Sequence, residues 1–321
     1  MSPRCDDHAA IDLTHFTDPG CPWAYSAWPA HTTLKWRYGE QLRWTLVTIG
    51  LTEDAGQYAA RGYTPTRSAI GYARFRRFGM PFQITPKARL SATSPACRAL
   101  VATRLASPQL VDAALRELQF AQFTTTGTLD DPDTLRSALA GVDGLDADAV
   151  VELIDAPEVV AAYEEDRARA RTAAGSPTES QGRAATTDGT VRYTAPSLVF
   201  HGPDGQRLEA GGFQPVEAYD VVIANLDPTL KRRPPAEDPV EVLSAFPYAL
   251  TTAEVAAVMT EHLGLPDPVA AEAALIKATG EGRAHRRPAG DGSLWASGPD
   301  PPHTPAPRPP VSVAGDEASI S

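Results

Sequence analysis

The hydrophobic pattern of this chain changes period twice. Ile11, Leu13 and Phe16 lie on an apolar, β-tolerant run that Pro19-Gly20 ends, and a helix-compatible segment with Leu34 and Trp36 follows as far as Gly39. Leu42, Trp44, Leu46 and Thr48, with Val47, Ile49 and Leu51, form a second alternating, β-rich run. Two strands around a helix predict a right-handed parallel crossover. Beyond Asp54 the spacing turns helical. Segments at 66–78, 95–106, 109–124, 131–139, 147–154 and 157–173 are predicted helices, with almost no strand pattern between them. Leu110, Ala114, Leu118 and Ala121 mark a core-facing stripe on one of them, whereas the alternating charges from Glu164 to Arg171 read as a solvated face.

A Gly-, Ser- and Thr-rich link at 175–189 reads as mobile. Strand chemistry then returns at Val191 to Tyr193 and Ser197 to His201, turns at Gly202-Pro203-Asp204-Gly205, and resumes through Arg207 to Glu209. Gly211-Gly212 ends the sheet, and a helix is predicted at 215–226. A βαβ start and a ββα finish therefore bracket a helical insertion, and the two halves are expected in one sheet. The expected division is a sheet domain at 11–53 and 190–226, an insertion at 54–189, and a Pro-rich linker at 227–239.

Residues 240–297 read as a small extra module. Thr251 and Glu254 make a capping box for a helix to about His262, Gly264 turns the chain, and a second helix at 268–279 stops at Gly280. Two short strands then flank Gly290-Asp291-Gly292, and this helix, turn, helix and hairpin order resembles a winged helix. The Pro-rich tail at 298–321 is expected to be disordered.

Charge narrows the partners. The 321 residues carry a net charge of -11, and acids outnumber bases in the winged-helix-like module, which argues against nucleic acid as a partner. Met1 to Ala10 lack the apolar core of a signal peptide and no apolar run approaches the length of a membrane span, so a cytoplasmic location and no membrane partner are expected. Nothing in the pattern speaks to oligomeric state.

The candidate chemistry is sulfur. Cys5, Cys21 and Cys97 are odd in number and lack metal-ligand spacing, so neither a disulfide framework nor a metal site is implied. Cys21 falls where the first strand turns into the first helix. A sulfur there faces unpaired N–H groups and the positive end of the helix dipole, which favours thiolate over thiol. Its bland alternative is a small buried hydrophobe.

Asp18-Pro19-Gly20-Cys21-Pro22-Trp23-Ala24-Tyr25 closely resembles the D-x-x-C-P-W-C-Y signature of DsbA-like thioredoxin-fold proteins. The branch is that of FrnE-type oxidoreductases, 2-hydroxychromene-2-carboxylate isomerases and kappa-class glutathione transferases. Ala195-Pro196-Ser197 looks like the branch's cis-proline loop, and Gly212-Phe213-Gln214-Pro215 like the lead into its closing helix, so the resemblance spans 11–226. It implies an α/β thioredoxin-like fold with an all-helical insertion, Cys21 as attacking thiolate, Pro196 as the cis-proline, and Pro22, Trp23 and Ala195 as substrate-binding residues.

One departure alters the implied chemistry. Dithiol relatives carry a second Cys at the position of Ala24, which resolves the mixed disulfide by intramolecular attack. Ala24 cannot do this, so a monothiol thiol-disulfide oxidoreductase acting on a protein or small-molecule disulfide is implied. Release would fall to Cys97 as a resolving thiol, to Cys5, or to a small thiol co-substrate such as glutathione or mycothiol. No tightly bound cofactor is expected. Two alternatives stand beside this reading: a kappa-like transferase or isomerase for a small organic molecule, and a catalytically degenerate thioredoxin fold kept as a binding module. Arg74, Arg76, Arg77 and Arg89 are available for a thiol's carboxylates.

Overall fold

Alternation at both ends of residues 11–226 produces one mixed sheet. A computed structural model describes residues 11–187 and 189–299. β1 (Ile11–Thr17) leads through α1 (Pro22–Ser26) and α2 (Trp28–Tyr38) to β2 (Leu42–Thr48). The predicted first helix is thus broken at Ala27, one residue before a fresh start at Trp28-Pro29. Pro29 has no N–H to carry the ladder across that point. β1 and β2 pair in parallel with Ile11 opposite Leu42, the expected crossover.

The helical stretch holds α3 (Ala55–Ala60), α4 (Pro65–Phe75), α5 (Ser94–Ala106), α6 (Val111–Thr124), α7 (Pro132–Leu139), α8 (Ala147–Glu152), α9 (Pro157–Ala170) and α10 (Pro177–Ser180). Side chains of Asp54, Thr64, Asp131, Asp146 and Ser176 accept from backbone N–H groups at their helix starts, which fixes several of these boundaries. α3 and α10 had no counterpart in the sequence reading. The 175–189 link, expected to be mobile, contains α10 and the strand β3 (Ala184–Ala185). β4 (Arg192–Tyr193) pairs with β3 and stays outside the main sheet.

β5 (Ser197–His201) and β6 (Arg207–Gly211) complete a four-stranded sheet in the order β2-β1-β5-β6, with β5 antiparallel to both neighbours. α11 (Val216–Leu226) packs against its outer half, where Ile11, Leu13, Leu198, Phe200, Tyr219 and Ile223 make one buried cluster. A larger cluster fills the insertion around Leu100, Leu115, Leu118, Phe123 and Leu139.

The stretch read as a linker is not a free spacer. Arg233 N–H donates to Arg37 O at 2.8 Å, Trp36 Nε1 donates to Pro234 O at 2.8 Å, and Gln41 bonds Lys231 through both its amide atoms. After it come α12 (Pro239–Ser244), β7 (Leu250–Thr251), α13 (Thr252–Val258), α14 (Pro268–Gly280), β8 (Ala284–Ala289) and β9 (Gly292–Ser297), with a sheet in the order β7-β9-β8. α12 and β7 were not anticipated. The capping box at Thr251 and Glu254 is present, and α13 ends at Val258, short of His262.

This module is welded to the rest. Glu254, at 0% exposure, pairs at 2.6 Å with Arg116 of α6, itself 1% exposed, and accepts from Thr32 Oγ1 of α2 at 2.7 Å. The Arg116 guanidinium also stacks over Trp28 at 4.5 Å and Tyr248 at 4.4 Å. At the β8–β9 turn, Gly290 adopts φ 55°, and a Cβ there would lie 2.9 Å from the backbone of Phe82, so only glycine lets the hairpin tip approach the insertion. Cys5, and the tail expectation from residue 300 onward, lie outside the described residues.

Candidate active site at the first strand–helix junction

Cys21 is positioned by a turn that Asp18 holds through its backbone and its side chain. Cys21 N–H donates to Asp18 O at 3.1 Å, and Gly20 N–H donates to the Asp18 carboxylate at 2.8 Å. A Cβ on Gly20 would meet Thr93 Cγ2 at 2.4 Å, so this turn reaches the start of α5 only with glycine. Pro22 then occupies the first helical turn, where its missing N–H costs nothing. Cys21 becomes the N-cap of α1, 7% exposed.

Across the site lies the start of β5. The Ala195–Pro196 peptide is cis, and Cys21 Sγ donates to Ala195 O at 3.1 Å, joining positions 174 residues apart. Ala24 sits one turn into α1, 2% exposed. Trp23 is 41% exposed and meets Phe75 at 4.8 Å, Phe78 at 5.5 Å and Phe213 at 5.5 Å, so an aromatic rim surrounds the mouth. Of the residues proposed from sequence, Cys21, Pro22, Trp23, Ala195 and Pro196 therefore share one surface.

Cys97 does not. It is wholly buried in the first turns of α5, and its Sγ donates to Asp18 Oδ2 at 3.4 Å. Asp18 is the hub between the two cysteines: fully buried, it accepts from Gly20 N–H, Leu51 N–H, Thr93 Oγ1 and Cys97 Sγ. The motif displayed Asp18, but only the fold shows what it gathers.

The electrostatics reverse one expectation. Burial pushes the Cys21 thiol up to about 12, and the Asp18 charge adds to this; the N–H groups of Ala24 and Trp23 and the Arg192 guanidinium pull the other way and lose. Those N–H groups approach the sulfur without completing a capping hydrogen bond. At rest Cys21 is a thiol. Burial likewise raises Asp18, against its four hydrogen bonds, and carries Cys97 well above the ordinary thiol range, with Asp18 again adding.

Two of the four arginines suggested for carboxylates are already paired. Arg76 pairs with Asp291 and Arg89 with Asp130, while Arg77 stacks over Phe78. A groove of about 1780 Å³ runs between α2, α6 and the C-terminal module and is lined by none of the sequence-predicted site residues. Among the described residues no group of three or more His, Cys, Asp or Glu could hold a metal, and no helix is long and apolar enough to cross a membrane.

A cysteine capping the helix after β1, opposite the strand-entry loop of a sheet ordered β2-β1-β5-β6, defines a thioredoxin-fold protein with a helical insertion. The chain belongs to the family of the DSBA-like thioredoxin domain, whose model matches residues 12–192. It is similar in structure to a protein from Nitrosomonas europaea provisionally described as a protein disulfide isomerase, at 17% identity and TM-score 0.51, covering 67% of this chain and 97% of that one. It is also similar to a probable DsbA oxidoreductase from Streptomyces coelicolor, at 16% identity and TM-score 0.51, covering 71% and 93%. The cytosolic disulfide reductase DsbM from Pseudomonas aeruginosa matches at 18% identity and TM-score 0.46, covering 67% and 98%. At these identities the likeness speaks to fold alone. Comparison with curated protein sequences finds no match.

Proposed function

We propose that this chain is a cytoplasmic thiol-disulfide oxidoreductase of the DsbA family that works as a monothiol through Cys21, with Pro196 in the loop that aligns the substrate. The observation that carries this reading is the hydrogen bond from Cys21 Sγ to Ala195 O, which sets the sulfur against the cis-proline loop at an aromatic mouth. Cys21 and Cys97, the cysteines among the described residues, are both free, which suits a reducing compartment.

The cycle balances without a second protein thiol. Cys21 thiolate attacks a disulfide RS–SR′, forms Cys21–S–S–R and expels R′S⁻. A small thiol of the glutathione or mycothiol type then attacks this mixed disulfide as its thiolate R″S⁻, leaves as R″S–SR, and restores the Cys21 thiolate. Reactivity is conditional: the sulfur must be hydrated, or have its Ala195 partner replaced by substrate, before the helix N–H groups and Arg192 can set its charge. Cys97 is a poor resolving thiol because it is enclosed behind Asp18.

The resting protonation of Cys21 favours one alternative, a thioredoxin fold retained as a binding module. Insulin reduction and glutathionylation exchange, run on the native protein beside Cys21→Ala and Ala24→Cys, separate the two. A native protein faster than Cys21→Ala in either assay supports the redox reading; equal rates in both remove it.

A further inference from the structure

No Asp or Glu occurs between Asp54 and Asp112, whereas that stretch holds nine Lys and Arg in a chain of net charge -11. Four of these cations are neutralised: Arg76, Arg89, Arg98 and Arg104 pair with Asp291, Asp130, Asp155 and Asp166. Lys87 turns inward to Gly127 O. Arg61, Arg67, Arg74 and Arg77 are exposed and reach no carboxylate among the described residues.

Three of them fall on one line. Arg67, Ile70 and Arg74 are spaced by three and four residues on α4, and Arg77 continues the line in the next turn, so they share the outward face, while Ala69 is buried and Tyr72 and Phe75 pack inward. The stripe is amphipathic in an unusual sense, because Ile70 is 53% exposed among the cations and Tyr63, 44% exposed, lies beneath Arg67 at 5.5 Å. Its inner edge is the Phe75 and Phe78 pair that packs on Trp23, next to Cys21. Ten residues of helix span about 15 Å, which gives the stripe room for several residues of an extended chain.

We propose that this face of α4 is the docking surface for an acidic polypeptide segment, with apolar side chains among its carboxylates, whose disulfide is delivered to Cys21. The part concerning delivery rests on the redox reading above; the surface itself does not. Charge complementarity chooses the partner: unpaired guanidiniums interleaved with Ile70, Tyr63 and Trp23 suit carboxylates beside apolar side chains. An exchangeable sulfur at the end of the stripe suits a protein better than a nucleic acid.

The test uses the full chain and a rhodamine-labelled twelve-residue peptide of six Glu, one Tyr, two Leu and three Gly, without cysteine, followed by fluorescence anisotropy. The expected result is binding at least tenfold tighter than for the same peptide with Lys in place of every Glu, weakened about tenfold between 20 and 300 mM NaCl. Arg74→Glu should lose fivefold, and Arg67→Glu/Arg74→Glu/Arg77→Glu tenfold or more, while Arg136→Glu on α7 changes nothing. Arg74 reaches no carboxylate among the described residues, and circular dichroism of Arg74→Glu should match the native spectrum. Equal binding of the two peptides, or unchanged binding in the variants, overturns the proposal. So does tighter binding of a twelve-residue oligothymidylate, displacement of the peptide by millimolar glutathione, or concentration-dependent self-association through the stripe. Reaction of the native protein with neutral 2,2′-dipyridyl disulfide, compared with Cys21→Ala, reports separately on the redox reading.

Discussion

The protonation of Cys21 can be tested by the pH dependence of its alkylation. Its thiol is pushed from 9.0 to about 12, so the thiolate fraction at pH 7 is about a thousandfold below that of an ordinary cysteine. A more basic thiolate is a better nucleophile, and a Brønsted slope of 0.4–0.5 returns about 16- to 32-fold of that loss. The net expectation is alkylation about 30- to 60-fold slower than a free thiol, before any allowance for the 7% exposure of the residue. The measurement is the iodoacetamide rate from pH 6 to 10.5 in Cys5→Ser/Cys97→Ser protein, read by intact mass beside N-acetylcysteine. The serine at 97 can still donate to Asp18. The rate should rise tenfold per pH unit up to pH 10 without a plateau. A plateau below pH 8 would show that the helix N-terminus outweighs burial and would refute the reasoning.

Three further outcomes follow from particular contacts. Ala24→Cys places a second thiol one turn from Cys21 at the start of α1; mild oxidation should then remove both from a free-thiol count, and the pre-reduced variant should reduce about one insulin disulfide per molecule, itself becoming oxidised, with no small thiol as resolver. Glu254→Ala strands the buried Arg116 charge and should cost about 3–5 kcal/mol in urea unfolding, whereas Arg116→Met/Glu254→Leu should recover most of it. His15 and His31 are buried neutral, 4.8 Å apart, with His15 lowered from 6.5 to about 3 by burial and then by Lys35, and His31 lowered for the same first reason. The unfolded chain binds their protons at about 6.5 and the native one does not, so stability is lost as pH falls below that value. At pH 5 the His15 share is about 2 kcal/mol, and His15→Leu should flatten the fall in Tm between pH 7 and pH 5.

Legibility in the sequence tracked the range of each interaction. β1, β2, β5 and β6 and six of the insertion helices announced themselves through local period, turn residues and caps. α3, α10, α12 and β7 did not, because segments of two to six residues give periodicity too little length to register. Composition marks the linker by its prolines but does not show that Trp36, Arg37 and Gln41 hold its backbone. Glu254 illustrates the limit best. Local sequence marks it as the third residue of a capping box, and it does accept from Thr251 N–H at 2.8 Å. Nothing local shows that the same carboxylate also faces Arg116, 138 residues away. Burial lets one group serve both, since a carboxylate removed from water needs every acceptor site filled.

At the site itself the residues were legible and their electrostatics were not. Cys21 and Pro196 are local motifs, but the charge state of the sulfur depends on how much water reaches it, which is set by β5 and the aromatic rim. Helix-terminal N–H groups favour a thiolate at any solvent-exposed N-cap; enclosure opposes it, and in the resting fold enclosure prevails. This also orders the roles of the three groups around the turn. Asp18 holds the loop and raises both thiols, Cys97 is its hydrogen-bond donor, and Cys21 alone borders the outside. A substrate that displaces the Ala195 carbonyl and admits polar atoms to the sulfur removes the dominant opposition while leaving Ala24 N–H, Trp23 N–H and Arg192 in place. On the redox reading proposed above, the thiol would then ionise when a partner docks.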